Sequence, residues 1–133
     1  MLLLTVVCTA AHSETFTVTV SNFQFNPSDL GQVKVGDIIR YEFTQGFHNA
    51  SSESVTNGVP AGAPQIKSGP ASGVNPRTYD YTITTVGTYN YICDVHTSMV
   101  GTFTASAPLP ATLKAFSLTS NPAKQWFFSW GAG

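Results

Sequence analysis

Residues Gly87–Ala105 read GTYNYICDVHTSMVGTFTA. Tyr89, Tyr91 and Cys93 fall on one side of the first half, with Asn90 and Ile92 on the other, the period of two that marks a strand with one buried face. Gly101–Ala105 repeats the pattern with Phe103 inward. Between these apolar runs, Cys93, His96 and Met99 stand three residues apart. A thiol, an imidazole and a thioether so spaced can all be turned inward by one tight loop.

Working outward, the rest of the chain supplies a frame of strands. Thr15–Val20 alternates strictly, with Phe16, Val18 and Val20 on one face. Phe23, Phe25 and Pro27 follow in an extended segment that ends in a turn, and Gln32–Val35 is a short strand. Gly36-Asp37 signals a turn into Ile38–Thr44, where Ile39, Tyr41 and Phe43 point inward and Arg40 and Glu42 outward. Tyr79, Tyr81 and Ile83 alternate with Asp80, Thr82 and Thr84 before the Val86-Gly87 turn. Gln45–Pro76 is a long polar stretch rich in Gly, Pro, Ser and Asn, with at most one or two short strands near Gln65–Lys67. Stretches of that length are usually functional or variable. No helical period runs over a useful length. Six to eight short strands with frequent turns predict an all-β fold, an antiparallel Greek-key β-sandwich with a C-terminal extension.

A chain of 133 residues is long enough for one domain with a real core. Its net charge of −1 leaves no basic footprint for nucleic acid, and no segment is apolar enough to span a bilayer as a helix. Residues 1–13 begin MLLLTVVCTAA and read as the apolar core of an export signal lacking its basic start, with cleavage near Ala11-His12-Ser13 or Cys8-Thr9-Ala10. That reading implies a periplasmic or secreted protein. It leaves Cys93 as the only cysteine, with no disulfide partner in an oxidising compartment, so the thiol is intermolecular, reactive or metal-bound. Residues 14–106 form the expected domain. Residues 107–133 open on the breaker Ala107-Pro108-Leu109-Pro110 and carry Trp126, Phe128 and Trp130, which reads as a linker followed by the cut start of a further β domain.

Thiolate and thioether are soft donors that suit Cu(I), and imidazole accepts either copper state; blue-copper sites combine two His and one Cys with a weak axial Met. With His12 in the leader, the one remaining histidine is His48, just past the strand Ile38–Thr44. Two strand ends can meet at one pole of a sandwich although 45 residues separate His48 from Cys93. Each residue alone has a plainer reading: Cys93 as a small core residue, His48 as a loop histidine, Met99 as filling. The set of four together points to copper. Zinc is disfavoured because Met is a poor zinc ligand. An oxidase or nitrite reductase is disfavoured because no histidines remain for a second copper centre.

From Phe16 to Ala105 the chain resembles the cupredoxins, through FNPSDLGQVKVGD, His48-Asn49 and GTYNYICDVHTSMVGTF. The step from His96 to Met99 is similar to the short ligand loop of the amicyanin type. The resemblance implies one type 1 copper, with His48, Cys93 and His96 as equatorial ligands and Met99 as the axial one. It also implies that the Asn49 side chain ties the two ligand loops together, with Asp94 as its partner. The implied function is single-electron transfer without enzymatic turnover, small-molecule substrate or membrane span. A redox protein would dock near the His96 edge, with Val95, Val100 and Pro60 as expected rim residues. The alternative is a copper-binding module of a larger secreted protein, serving delivery, sensing or adhesion. Ile92 departs from the plastocyanin pattern, which has an exposed aromatic there, and so removes that electron route.

Overall fold

A computed structural model describes residues 12–108. The expected export leader (1–13) and C-terminal extension (107–133) fall almost wholly outside the described residues. Seven strands appear: β1 Thr15–Ser21, β2 Gln24–Asn26, β3 Asp29–Lys34, β4 Ile38–Phe43, β5 Arg77–Thr82, β6 Gly87–Cys93 and β7 His96–Ser106. They form two sheets, ordered β2-β1-β4-β5 and β3-β7-β6, that face one another as a sandwich. Among the described residues no helix is long and apolar enough to cross a membrane.

The alternation in the sequence becomes the core directly. In the first sheet Phe16 pairs with Ile39 and Ile39 with Tyr81, while Val18 pairs with Tyr41 and Tyr41 with Tyr79. Paired residues share a face, so each register row lays its apolar side chains side by side. In the second sheet Tyr89 stacks on Phe103, ring centroids 4.6 Å apart, and Tyr91 pairs with Gly101. Gly101 must lack a side chain: a Cβ there would lie 2.3 Å from the Tyr91 ring. The ring therefore lies over bare backbone and meets Phe25 and Tyr41 across the sandwich at 4.8 and 5.2 Å. Each such large side chain taken out of water contributes about 1.5–3 kcal/mol.

Two features differ from the expected pattern. Not every pairing is antiparallel: β1 runs parallel to β4 and β3 parallel to β7. After the β1–β2 hairpin the chain crosses to the second sheet as β3 and returns on the far side of β1, so β4 repeats the direction of β1. The second difference is the length of β7, which begins at His96 rather than near Gly101. The segment Cys93–Met99 is thus a hairpin tip rather than a free loop, with only Asp94 and Val95 between the strands.

Gln45–Pro76 forms no ladder strand, but it is not loose. Ser51 exchanges backbone bonds with Ile92 (2.9 and 2.8 Å), Ser52 N–H donates to the Ile66 carbonyl, and Ser68 N–H donates to the Ala50 carbonyl. The piece 48–52 therefore lies along the free edge of β6, with 66–68 on its other side.

Candidate metal centre

The hairpin of β6 and β7 builds half of the centre. Cys93 is the last residue of β6 and pairs with His96, the first of β7. Residues paired across a ladder present side chains to the same face, so the pairing places the thiol beside the imidazole. Cys93 Sγ lies 3.5 Å from His96 Nδ1. The next pair is Ile92 with Val100, which leaves Thr97, Ser98 and Met99 looped out of register on β7. Met99 is nonetheless buried, in the same apolar cluster as Cys93.

His48 reaches the centre through the edge piece. An antiparallel bridge of Ser51 to Ile92 puts Ala50 opposite Cys93 and Asn49 opposite Asp94, so His48 arrives at the pole just beyond the β6 end. The register is visible in side-chain bonds: Asn49 Nδ2 donates to Asp94 Oδ2 (2.8 Å) and to the Gly69 carbonyl (2.9 Å), and Asp94 N–H donates back to Asn49 Oδ1 (2.8 Å). His48 and Ser72 exchange backbone bonds. Arg77 clamps this wall from behind, donating to the carbonyls of His48 (2.6 Å), Val74 (2.8 Å) and Ser72 (3.2 Å). Its guanidinium lies 4.0 Å above the centre of the Phe43 ring. Gly46 closes the far side of His48; a Cβ there would stand 2.4 Å from Nε2.

The two walls converge. His48 Nδ1 is 3.2 Å from His96 Nδ1 and 3.9 Å from Cys93 Sγ. One donor atom from each of His48, Cys93 and His96 lies within 4.8 Å of the others, the one such group found among the described residues. His48 and Cys93 are buried and His96 is half-buried. Burial, reinforced by the nearby His96 and Arg77 charges, holds the His48 pKa below its ordinary value. That favours the neutral ring, the form in which an imidazole nitrogen can ligate a metal. Two inward-facing nitrogens, one buried thiol without a disulfide partner, and a buried thioether three residues on make a donor set that fits a single type 1 copper.

Of the residues expected at the rim, Val95 is at the hairpin tip and half-exposed. Val100 is exposed on the outer side of β7, where it lines a cavity of about 320 Å³ with Val55 and Ile92. Pro60 is not at this pole. It packs against Gly87 at the start of β6, which a strand rise of about 3.3 Å per residue puts roughly 20 Å from Cys93. Phe23, absent from the expected rim, is there instead. Its ring centroid is 4.7 Å from that of His96 and 5.7 Å from that of His48. Arg77 also escaped the reading of the sequence. Its one signal is that a scarce basic residue ends a polar stretch full of carbonyls, and nothing in the spacing says which carbonyls it meets.

The chain matches the copper binding proteins of the plastocyanin/azurin family over residues 11–106. It belongs to that family, the cupredoxins, and its cofactor is copper. Among solved structures it is similar to a reduced point mutant of amicyanin, with 26% identity, TM-score 0.55, and coverage of 69% of this chain and 82% of that one. Another amicyanin mutant, solved in its reduced Cu(I) form, matches at 25% identity with the same TM-score of 0.55 and the same coverage of 69% and 82%. A pseudoazurin from Sinorhizobium shares the fold at TM-score 0.57 and 24% identity, over 77% of this chain and 80% of that one. No curated protein matches the chain.

Proposed function

We propose that this chain carries single electrons between redox partners at a type 1 copper held by His48, Cys93 and His96 in the equatorial plane and Met99 on the axis. The observation that carries the reading is the convergence of His48 Nδ1 and His96 Nδ1 on Cys93 Sγ at 3.9 and 3.5 Å, from two separate walls. Copper, when bound, supplies a one-electron couple between Cu(I) and Cu(II). The protein's part is to keep the same donors in place for both states. Cys93 and His96 are set by a ladder pair, and His48 by backbone bonds and the Arg77 clamp. Asn49 ties the walls through Asp94, so neither can shift alone. Two amicyanin mutants similar to this chain were solved as reduced Cu(I) and oxidised forms, which supports a site that serves both states.

The electron port is the half-buried His96 edge, where Phe23 and Val95 are exposed. These apolar side chains suit brief docking of a redox protein, and the mild charge of the domain selects no strongly charged partner. This is carrier chemistry and not enzymatic turnover. The apolar leader read at residues 1–13 supports a periplasmic or secreted location.

The decisive measurement is the visible spectrum on addition of Cu(II). An intense blue thiolate-to-copper band is expected, and Cys93→Ser abolishes it. A colourless protein that takes up only zinc sinks the proposal. If the protein turns blue but exchanges electrons slowly, the function is copper delivery, sensing or adhesion within a larger secreted protein.

A further inference from the structure

The β1–β2 hairpin turns on two residues, Asn22 and Phe23, between the pair Ser21 and Gln24. Both have positive φ, +46° and +59°. A two-residue turn with φ > 0 at both positions is the type I′ hairpin turn, whose second position strongly prefers glycine. Phenylalanine in that left-handed conformation is a true outlier, because its Cβ crowds the following carbonyl. It is also 69% exposed, so it gains little from burial. A large apolar side chain set on strained backbone in solvent is not there for the turn or for the core. Such strain points to a role at the site it borders.

That site is His96. The imidazoles of metal centres are usually held by a hydrogen bond from the second ring nitrogen. No protein group gives His96 such a bond: among the described residues, its ring nitrogens come within hydrogen-bonding range only of His48 Nδ1 and Cys93 Sγ, both through Nδ1. What meets the ring is Phe23, edge-on at 87° with centroids 4.7 Å apart. The same ring meets His48 at 84° and 5.7 Å. Edge-to-face contact at this separation is the favoured aromatic geometry. The hairpin tip is itself anchored from the His48 side, since Gln45 Nε2 donates to Asn22 Oδ1 at 2.9 Å.

We propose that Phe23 is the positioning residue for His96, an aromatic strut that fixes the imidazole rotamer where other metal-site histidines use a hydrogen bond, and that shields the ring's outer edge from water. The rotamer claim stands on the protein alone. Its consequence for copper rests on the proposed function above.

The test compares Phe23→Gly, which suits the turn, with Phe23→Tyr, which keeps the ring. In the metal-free protein, NMR of the wild type should show contacts between the Phe23 and His96 rings and one His96 rotamer. In Phe23→Gly the His96 ring should average over rotamers while His48 stays fixed, with the unfolding midpoint unchanged or raised. Phe23→Tyr should restore the single rotamer. In the copper-loaded protein, release of copper to a chelator should speed up on the order of tenfold in Phe23→Gly and return to the wild-type rate in Phe23→Tyr. A single fixed His96 rotamer in Phe23→Gly overturns the proposal, as does a release rate equal to wild type. A wild type that shows no blue band with Cu(II) refutes the copper reading instead, and the rotamer measurement still decides the role of Phe23.

Discussion

His48 and His96 bring the same imidazole nitrogen to the same sulfur, but the two walls of the centre are built differently. His48 is buried, and its backbone is clamped by Ser72 and Arg77. Its ring is backed by a glycine so close that no side chain fits. His96 is half-buried on a strand end, placed by one ladder pair and touched by one exposed aromatic. The difference teaches how a chain with few charges can make a site both firm and accessible. Fixing one imidazole through main-chain bonds leaves the other free to lie nearer the surface. The rigid wall is buried, and the half-buried wall carries few bonds.

The strongest way to break this contrast is to remove the clamp. Arg77→Ala takes away the cation that donates to the carbonyls of His48, Ser72 and Val74, leaving the first two with only their mutual backbone bonds, and charge-assisted bonds of this kind are worth about 1.5–3 kcal/mol. A loss of about 3 kcal/mol is expected in urea unfolding, with a broadened copper spectrum. Arg77→Lys should recover little of it, because one ammonium nitrogen cannot stand in for two guanidinium nitrogens, one on the His48 carbonyl and the other on those of Ser72 and Val74. A loss within about 0.5 kcal/mol would mean that the His48 wall is fixed by its other bonds, since substitutions that remove nothing structural fall in that range.

Asn49→Ala cuts the tie between the walls rather than either wall. It removes two bonds to Asp94 and one to Gly69, an expected cost of about 1–2 kcal/mol. Copper affinity should fall about tenfold, as it does when the partners that orient ligands are lost. Unchanged affinity in a competition titration would show that the walls meet without this link.

The smallest effect is that of pH on the metal-free protein. The His48 pKa is lowered in the folded state, mainly by burial, so the unfolded chain binds a proton that the folded one resists. The stabilisation is complete above the ordinary value of 6.5 and is lost as pH falls from there through the lowered folded value. Denaturation midpoints should therefore fall with pH in that window, and His48→Asn should flatten the slope. An unchanged slope in the variant would place the titration elsewhere.

Much of this arrangement was legible residue by residue. The alternation of Ile39, Tyr41 and Phe43, and of Tyr89, Tyr91 and Cys93, gives the buried faces of β4 and β6, because a strand's side-chain period is two whatever surrounds it. The three-residue steps of Cys93, His96 and Met99 put soft donors in one short segment. The start of β7 was not legible, since His96–Met99 has no clean alternation, and its pairing depends on how the ladder recovers register after the tip. Nor were Phe23 and Pro60. A turn aromatic and a loop proline look alike in sequence, and only the crossing of β1–β2 beside β7 puts one at the copper pole and the other at the far end.

By itself, then, the sequence determined most of the strands, the faces they bury and the chemical class of the donors, all of which follow from local period and side-chain type. The tertiary structure alone decided which wall is rigid and which is open. That depends on edge register, through Ser51 on Ile92 and Asn49 on Asp94, and on carbonyls gathered around Arg77 from across the long polar stretch. Apart from proline, every residue type brings the same backbone donor and acceptor, so its letter does not record which partner they find.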